Sequence, residues 1–89
     1  MARLVYTDSF IEDMTMVELA GKRDEIFDKI DLLSDFPDLG SANVPVSIRL
    51  RFGSSVRKLA ISPFDVVYEH DQASDSVNIL GLVHQRAAF

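Results

Sequence analysis

The sequence predicts an α+β fold: an N-terminal strand and a helical hairpin packed on one face of an antiparallel sheet of about four strands. Three observations lead there. Between residues 8 and 35 apolar side chains recur every three to four positions, the period of a helix with one buried face. After Pro37 the pattern turns to two-residue alternation and to runs rich in Val, Ile and aromatics, the period of strands. Within that second half the polar segment His70–Ser76 has turn chemistry and separates two apolar runs, which makes an antiparallel hairpin.

In chain order, Arg3–Tyr6 (RLVY) reads as a short strand that brings the sheet to four. Thr7, Asp8 and Ser9 end it, and Ser9 with Glu12 has capping-box spacing, so a helix is expected from there to Gly21, with Phe10, Met14 and Val17 on its apolar face and Ile11 beside them. Met14 and Met16 read as core filling. A second helix, Lys22–Ser34, carries the stripe Ile26, Phe27, Ile30 and Leu33, with Asp24, Glu25, Asp28 and Asp31 turned away; Pro37 stops it. Asp38–Ser55 has two readings. Val46, Ile48, Leu50 and Phe52 alternate with polar residues like a strand, whereas Pro45 suits the first turn of a short helix; both leave Arg49 and Arg51 exposed.

Val56–Ser62, Pro63–Glu69 and Val77–Val83 then form a meander, Pro63 falling at a joint where its missing N–H costs least. By alternation Leu59 and Ile61 point together with Arg57, and Phe64, Val66 and Tyr68 oppose Asp65, Val67 and Glu69. In the last strand Val77, Ile79 and Val83 would share one face and Asn78, Leu80, Leu82, His84 and Arg86 the other. An apolar content on both faces marks this strand as central.

Eighty-nine residues, 47% hydrophobic and 26% charged, are ordinary for one folded domain spanning 1–89. There is no cysteine, hence no disulfide, thiolate nucleophile or cysteine-bound metal. No apolar run approaches the roughly 18 residues of a membrane span and no signal peptide opens the chain, so a cytoplasmic protein with no membrane partner is expected. The net charge of −5 opposes general nucleic-acid binding, but it is unevenly spread. Residues 1–40 hold ten acids against four bases, and residues 41–89 hold four acids against the five bases Arg49, Arg51, Arg57, Lys58 and Arg86. His70 reads as part of a polar turn, and Asp71 and Asp75 offer too few ligands for a metal loop.

Strand, helical hairpin, loop and three-stranded meander resemble, over essentially the whole chain, the RelE/ParE superfamily of bacterial toxins. The resemblance is carried by PDLG after the second helix, VRKLAISPFDVVYEHD through the meander and VNILGLVHQRAAF with its closing His-x-Arg. It implies the toxin of a type II toxin–antitoxin (plasmid stabilisation) module that inhibits growth, needs no cofactor or metal, and is neutralised by a cognate antitoxin. It leaves a homodimer open. It implies one of two targets, DNA gyrase or messenger RNA on the ribosome. In the nuclease branch His84 would be acid or base, with Arg86, Arg57 and Lys58 as the cations at the phosphate. Antitoxin contacts would fall on Arg49, Arg51, Arg86 and Phe89.

The chain departs from the nuclease pattern where it matters. That pattern places an arginine directly after the aromatic opening the middle strand, and here Asp65 follows Phe64, a carboxylate that repels phosphate. Phe89 offers a ring but no hydroxyl. These departures and the net negative charge favour a non-catalytic, ParE-like gyrase inhibitor. A metal-independent endoribonuclease and a repurposed member stay open, as does a plain structural role for His84 and Arg86 beside the C-terminal carboxylate.

Overall fold

In the computed structural model, which describes residues 1–87, strands β1 (Arg3–Tyr6), β2 (Arg57–Ile61), β3 (Phe64–Asp71) and β4 (Ser76–His84) form one sheet. Their order is β1-β4-β3-β2. The meander β2–β3–β4 is antiparallel as expected, whereas β1 joins β4 in parallel, Leu4 opposite Val77 and Tyr6 opposite Ile79, so the sheet is mixed. Tight hairpins dictate the relative directions of β2, β3 and β4. Nothing local in RLVY dictates the direction of β1, whose partner is remote in sequence and reached through a helical crossover.

The helices are α1 (Asp8–Met14), α2 (Lys22–Asp31) and α3 (Val46–Phe52). The capping residue of α1 is Thr7 and not Ser9: its Oγ1 accepts from Phe10 N at 3.3 Å and donates to Ile79 O at 2.7 Å, joining helix start to sheet. α1 stops at Met14, where Thr15 Oγ1 turns back to Glu12 O, well short of Gly21. Gly21, at φ 73°, instead occupies the entry to α2, a left-handed position suited to glycine. The chain then runs through a 3-10 turn, Leu32–Ser34, within the predicted limits.

Both α1 and α2 pack on one face of the sheet. There Phe10, Met14, Val17, Ile26, Ile30 and Leu33 meet Leu59, Ile61, Phe64, Val66, Tyr68, Val77, Ile79 and Leu82. Two expected core residues stand outside it: Met16 is 62% exposed on the turn after α1, and Ile11 faces solvent. Phe27 lies at the margin, 36% exposed, its ring edge-on to Tyr6 at 5.7 Å and Phe10 at 6.2 Å. Residues 46–52 take the helical reading. Ile48 and Phe52, four apart, turn to the opposite sheet face and close a second, smaller core with Val44, Val56, Val67 and Val83. Between the helices of the two faces, Ser41 pairs with Lys58 through two backbone hydrogen bonds of 2.8 and 3.0 Å, covering the free edge of β2. Among the described residues no helix is long and apolar enough to cross a membrane.

Candidate functional site

β4 decides where the predicted site residues project, and it is not a regular strand. Val67 pairs with Gly81 but Tyr68 pairs with Ile79, so Leu80 is an extra residue, a bulge. One extra residue inverts the alternation beyond it. Leu82 therefore joins Val77 and Ile79 in the larger core while Val83 joins Leu80 on the α3 side, the reverse of the simple parity expected from sequence. The amide the bulge frees is not wasted: Leu82 N donates to Asp13 Oδ2 of α1 at 3.0 Å. Beyond Tyr6, α1 thus takes over from β1 as the neighbour of β4.

The same inversion carries His84 to the α1/α2 side. It sits opposite Phe64, its exposed ring edge-on to the Phe64 ring at 5.6 Å. Arg86 follows in a 3-10 turn, Gln85–Ala87, and its backbone N donates to His84 Nδ1 at 3.1 Å. Because Nδ1 accepts, the neutral ring carries its proton on Nε2 and presents a donor outward. Both residues face solvent, but strand parity does not set their side chains on one face, because β4 ends at His84 and the contact between them runs through the Arg86 backbone.

Arg57 and Lys58 are not brought to them as a pair. Adjacent residues of β2 point to opposite faces: Arg57 lies opposite Tyr68, Lys58 opposite Val67. Arg57 Nη1 donates to Gly40 O at 2.8 Å and Nη2 lies 3.7 Å from Asp38 Oδ1, so its charge serves the loop after α2. Tyr68, its cross-strand neighbour, is four residues along β3 from Phe64, about 13 Å of strand from the His84 position. Lys58, on the α3 side, points its Nζ at Asp65 Oδ2, 3.9 Å away.

Asp65 is 2% exposed, so the carboxylate that breaks the nuclease pattern is an interior group and not a surface repeller. Besides Lys58 it accepts from Gln85 Nε2 at 3.2 Å, and Gln85 also donates from its N to Pro63 O at 2.8 Å. Gln85, which the sequence reading passed over, thereby pins the turn that carries Arg86. The signal for it was weak, a single polar residue between His84 and Arg86.

Arg49 and Arg51 are exposed on α3, and Phe89 lies outside the described residues. Ser47, Ile48, Arg51, Phe52 and Val83 line a cleft of about 120 Å³ between α3 and β4. His70 belongs to β3 and not to the turn; its Nε2 meets Asp75 Oδ1 at 3.2 Å and ties the hairpin tip. Among the described residues no three of His, Asp and Glu converge as a metal site.

No protein-family model and no curated protein matches this sequence. Solved structures do match. The Escherichia coli RelBE toxin–antitoxin complex aligns with a TM-score of 0.70 at 11% identity, covering 94% of this chain and 96% of that one. The RelBE2 complex of Mycobacterium tuberculosis aligns at 0.69 and 17% identity, covering 93% and 96%. A double arginine-to-alanine variant of E. coli RelE bound to a RelBc peptide aligns at 0.66 and 13% identity, covering 93% and 82%. Mixed sheet, helical pair and closing strand together therefore give this chain a RelE-like fold.

Proposed function

We propose that this chain is the toxin of a toxin–antitoxin module, held inactive by a cognate antitoxin, and that it acts by binding, as a non-catalytic inhibitor with DNA gyrase as the target. The first part is supported by one observation: the fold is shared over more than nine-tenths of this chain with RelE toxins in complex with their antitoxins. The second is supported by the dispersal of the residues a nuclease would need. In-line attack by a ribose 2′-hydroxyl requires base, cation and acid within a few ångströms of one phosphodiester. Here Arg57 is engaged with Gly40 and Asp38, and Lys58 is engaged with a buried carboxylate on the other face. The exposure of both His84 and Arg86 at the end of β4, two residues apart, favours the second reading, a ribosome-dependent messenger RNA endonuclease.

The two are separated by inducible expression in a bacterial host, with and without the polypeptide of the adjoining open reading frame, followed by assays of gyrase supercoiling and of messenger cleavage on translating ribosomes. Growth arrest relieved by the adjoining polypeptide, with supercoiling inhibited and no cleavage, is the expected result. Cleavage that disappears in His84→Ala or Arg86→Ala, or that strengthens in Asp65→Arg, overturns the non-catalytic reading, and growth unaffected by the chain overturns the toxin reading.

A further inference from the structure

α3 has two apolar sides, and only one is used by the fold. Ile48 and Phe52 face the sheet, while Val46 and Leu50, also four apart and hence aligned, form a ridge that is 61% and 83% exposed. At 100° per residue Arg49 lies on one flank of that ridge and Arg51, with Ser47, on the other. Nothing in the surrounding chain balances these cations. From Leu39 to Phe64 the sequence holds four basic residues and no acid; Arg57 and Lys58 have carboxylate partners, whereas among the described residues no ion pair reaches Arg49 or Arg51. The two arginines suit the last turn of α3, but two aliphatic side chains held in water on one short helix gain the folded chain nothing; the ridge suits something that covers it.

We propose that the outward face of α3 is a docking site for an acidic segment of the neutralising partner, in which a branched aliphatic side chain packs on the Val46–Leu50 ridge and flanking carboxylates meet Arg49 and Arg51. This rests on the antitoxin reading above and adds the place and the chemistry of the contact. The charge is complementary, and a planar guanidinium on each side of an apolar ridge matches bidentate carboxylates. Beside Arg51 the 120 Å³ cleft lined by Ser47, Ile48, Phe52 and Val83 has room for one further side chain. The surface fits a peptide better than a nucleic acid. Val46 and Leu50 have no plane for a base to stack on, and the one ring nearby is already occupied: the edge of Phe52 abuts Gly81, where a Cβ would meet it at 2.7 Å, and the Arg51 guanidinium lies over its face at 4.7 Å.

The test is a calorimetric titration of the full chain with the purified polypeptide of the adjoining open reading frame, comparing the unaltered protein with Leu50→Ser and with Arg49→Glu/Arg51→Glu. All three positions are exposed, so circular dichroism should match the unaltered protein, with Tm a few degrees lower at most in the charge-reversed variant, whose last helical turn loses its cations; an α3 lost to misfolding would show there. Affinity falls about tenfold or more in each variant, the charge-reversed protein loses most of the salt dependence, and cells expressing either variant escape neutralisation while remaining poisoned. Unchanged affinity in both variants overturns the docking site and leaves the toxin reading standing. Variants that stay neutralised but lose toxicity place the target on α3 and overturn it as well, as does a single-stranded RNA oligonucleotide bound by the unaltered chain and released by the substitutions. No complex and no toxicity with the unaltered chain removes both readings together.

Discussion

Replacing Tyr68 by Phe should remove the joint on which α3 depends. The Tyr68 hydroxyl donates to Pro37 O at 2.7 Å and accepts from Gly40 N at 2.8 Å, and Arg57 holds Gly40 O at 2.8 Å from the same side. These bonds lead the chain from the end of the helical pair, over the edge of β2, to α3. The site admits no other residue at 40, because a Cβ there would lie 2.6 Å from Lys58 O and 2.7 Å from the Tyr68 ring. Tyr68→Phe keeps the ring in the core but leaves the buried Gly40 N–H without an acceptor, a loss of about 1–3 kcal/mol, centred near 2. For a chain of this size that lowers Tm by about 8–16 °C. Burial pushes the Tyr68 phenol above its ordinary 10.0, partly offset by the Gly40 N–H and Arg57, and burial with Asp31 raises Tyr6 likewise. A raised folded pKa means the folded chain holds its proton more tightly than the unfolded chain. The stability concerned is fully present below pH 10 and is lost as pH rises through the raised values. Urea unfolding at about pH 8 and about pH 11 should therefore show Tyr68→Phe weaker by about 2 kcal/mol at the lower pH and by less at the higher, since the variant has one fewer tyrosine to deprotonate. A loss under about 0.5 kcal/mol at pH 8, or a difference that ignores pH, would refute the role given to this hydroxyl.

Ile30→Ala, fully buried between α2 and the sheet, should cost about 2–5 kcal/mol in the same unfolding assay, and Phe27→Ala, at 36% exposure, roughly half as much; equal losses at the two sites would mean the helical face is rotated. Asp13→Ala should cost about 1–3 kcal/mol by orphaning Leu82 N at the bulge, and Asp13→Asn distinctly less because the side-chain carbonyl still accepts. Hydrogen exchange at the Leu82 amide follows the same order, and protection unchanged in Asp13→Ala would show that another group holds the bulge.

The meander was legible because its residues report their neighbours: β-branched and aromatic runs separated by a polar turn specify hairpins within a few dozen residues. The stripe on α2 was legible for the same reason. What escaped was decided elsewhere. The orientation of β1 depends on a crossover, and the single extra residue at Leu80 is invisible to alternation because Leu80, Gly81, Leu82 and Val83 fit either face. Asp13 is the residue that makes the bulge affordable, and in sequence it is one more acid on a polar helix face. At 46–52 a strand-like alternation gave way to a helix, since two residues four apart suffice to close a small core over Val67 and Val83. Arg57 and Lys58 illustrate the cost to the site: the family resemblance implied both as cations at the phosphate, and strand geometry assigns them to opposite faces.

That division bears on what the protein can bind. Of the five cations in the second half, Arg57 is engaged with the loop after α2 and Lys58 with the buried Asp65, leaving Arg49, Arg51 and Arg86 facing solvent on a chain of net charge −5. Three phosphate contacts to a single strand would give a salt slope of only about −2, so affinity would fall roughly twentyfold between 50 and 200 mM salt, against the thousandfold or greater losses of proteins that make six to ten phosphate contacts. The electrostatic attraction available for RNA is therefore small, and it is opposed at longer range by the ten acids of residues 1–40. The docking proposed on α3 asks less of charge: there the apolar ridge Val46–Leu50 would supply the affinity and the two flanking guanidinium groups, Arg49 and Arg51, would choose the register.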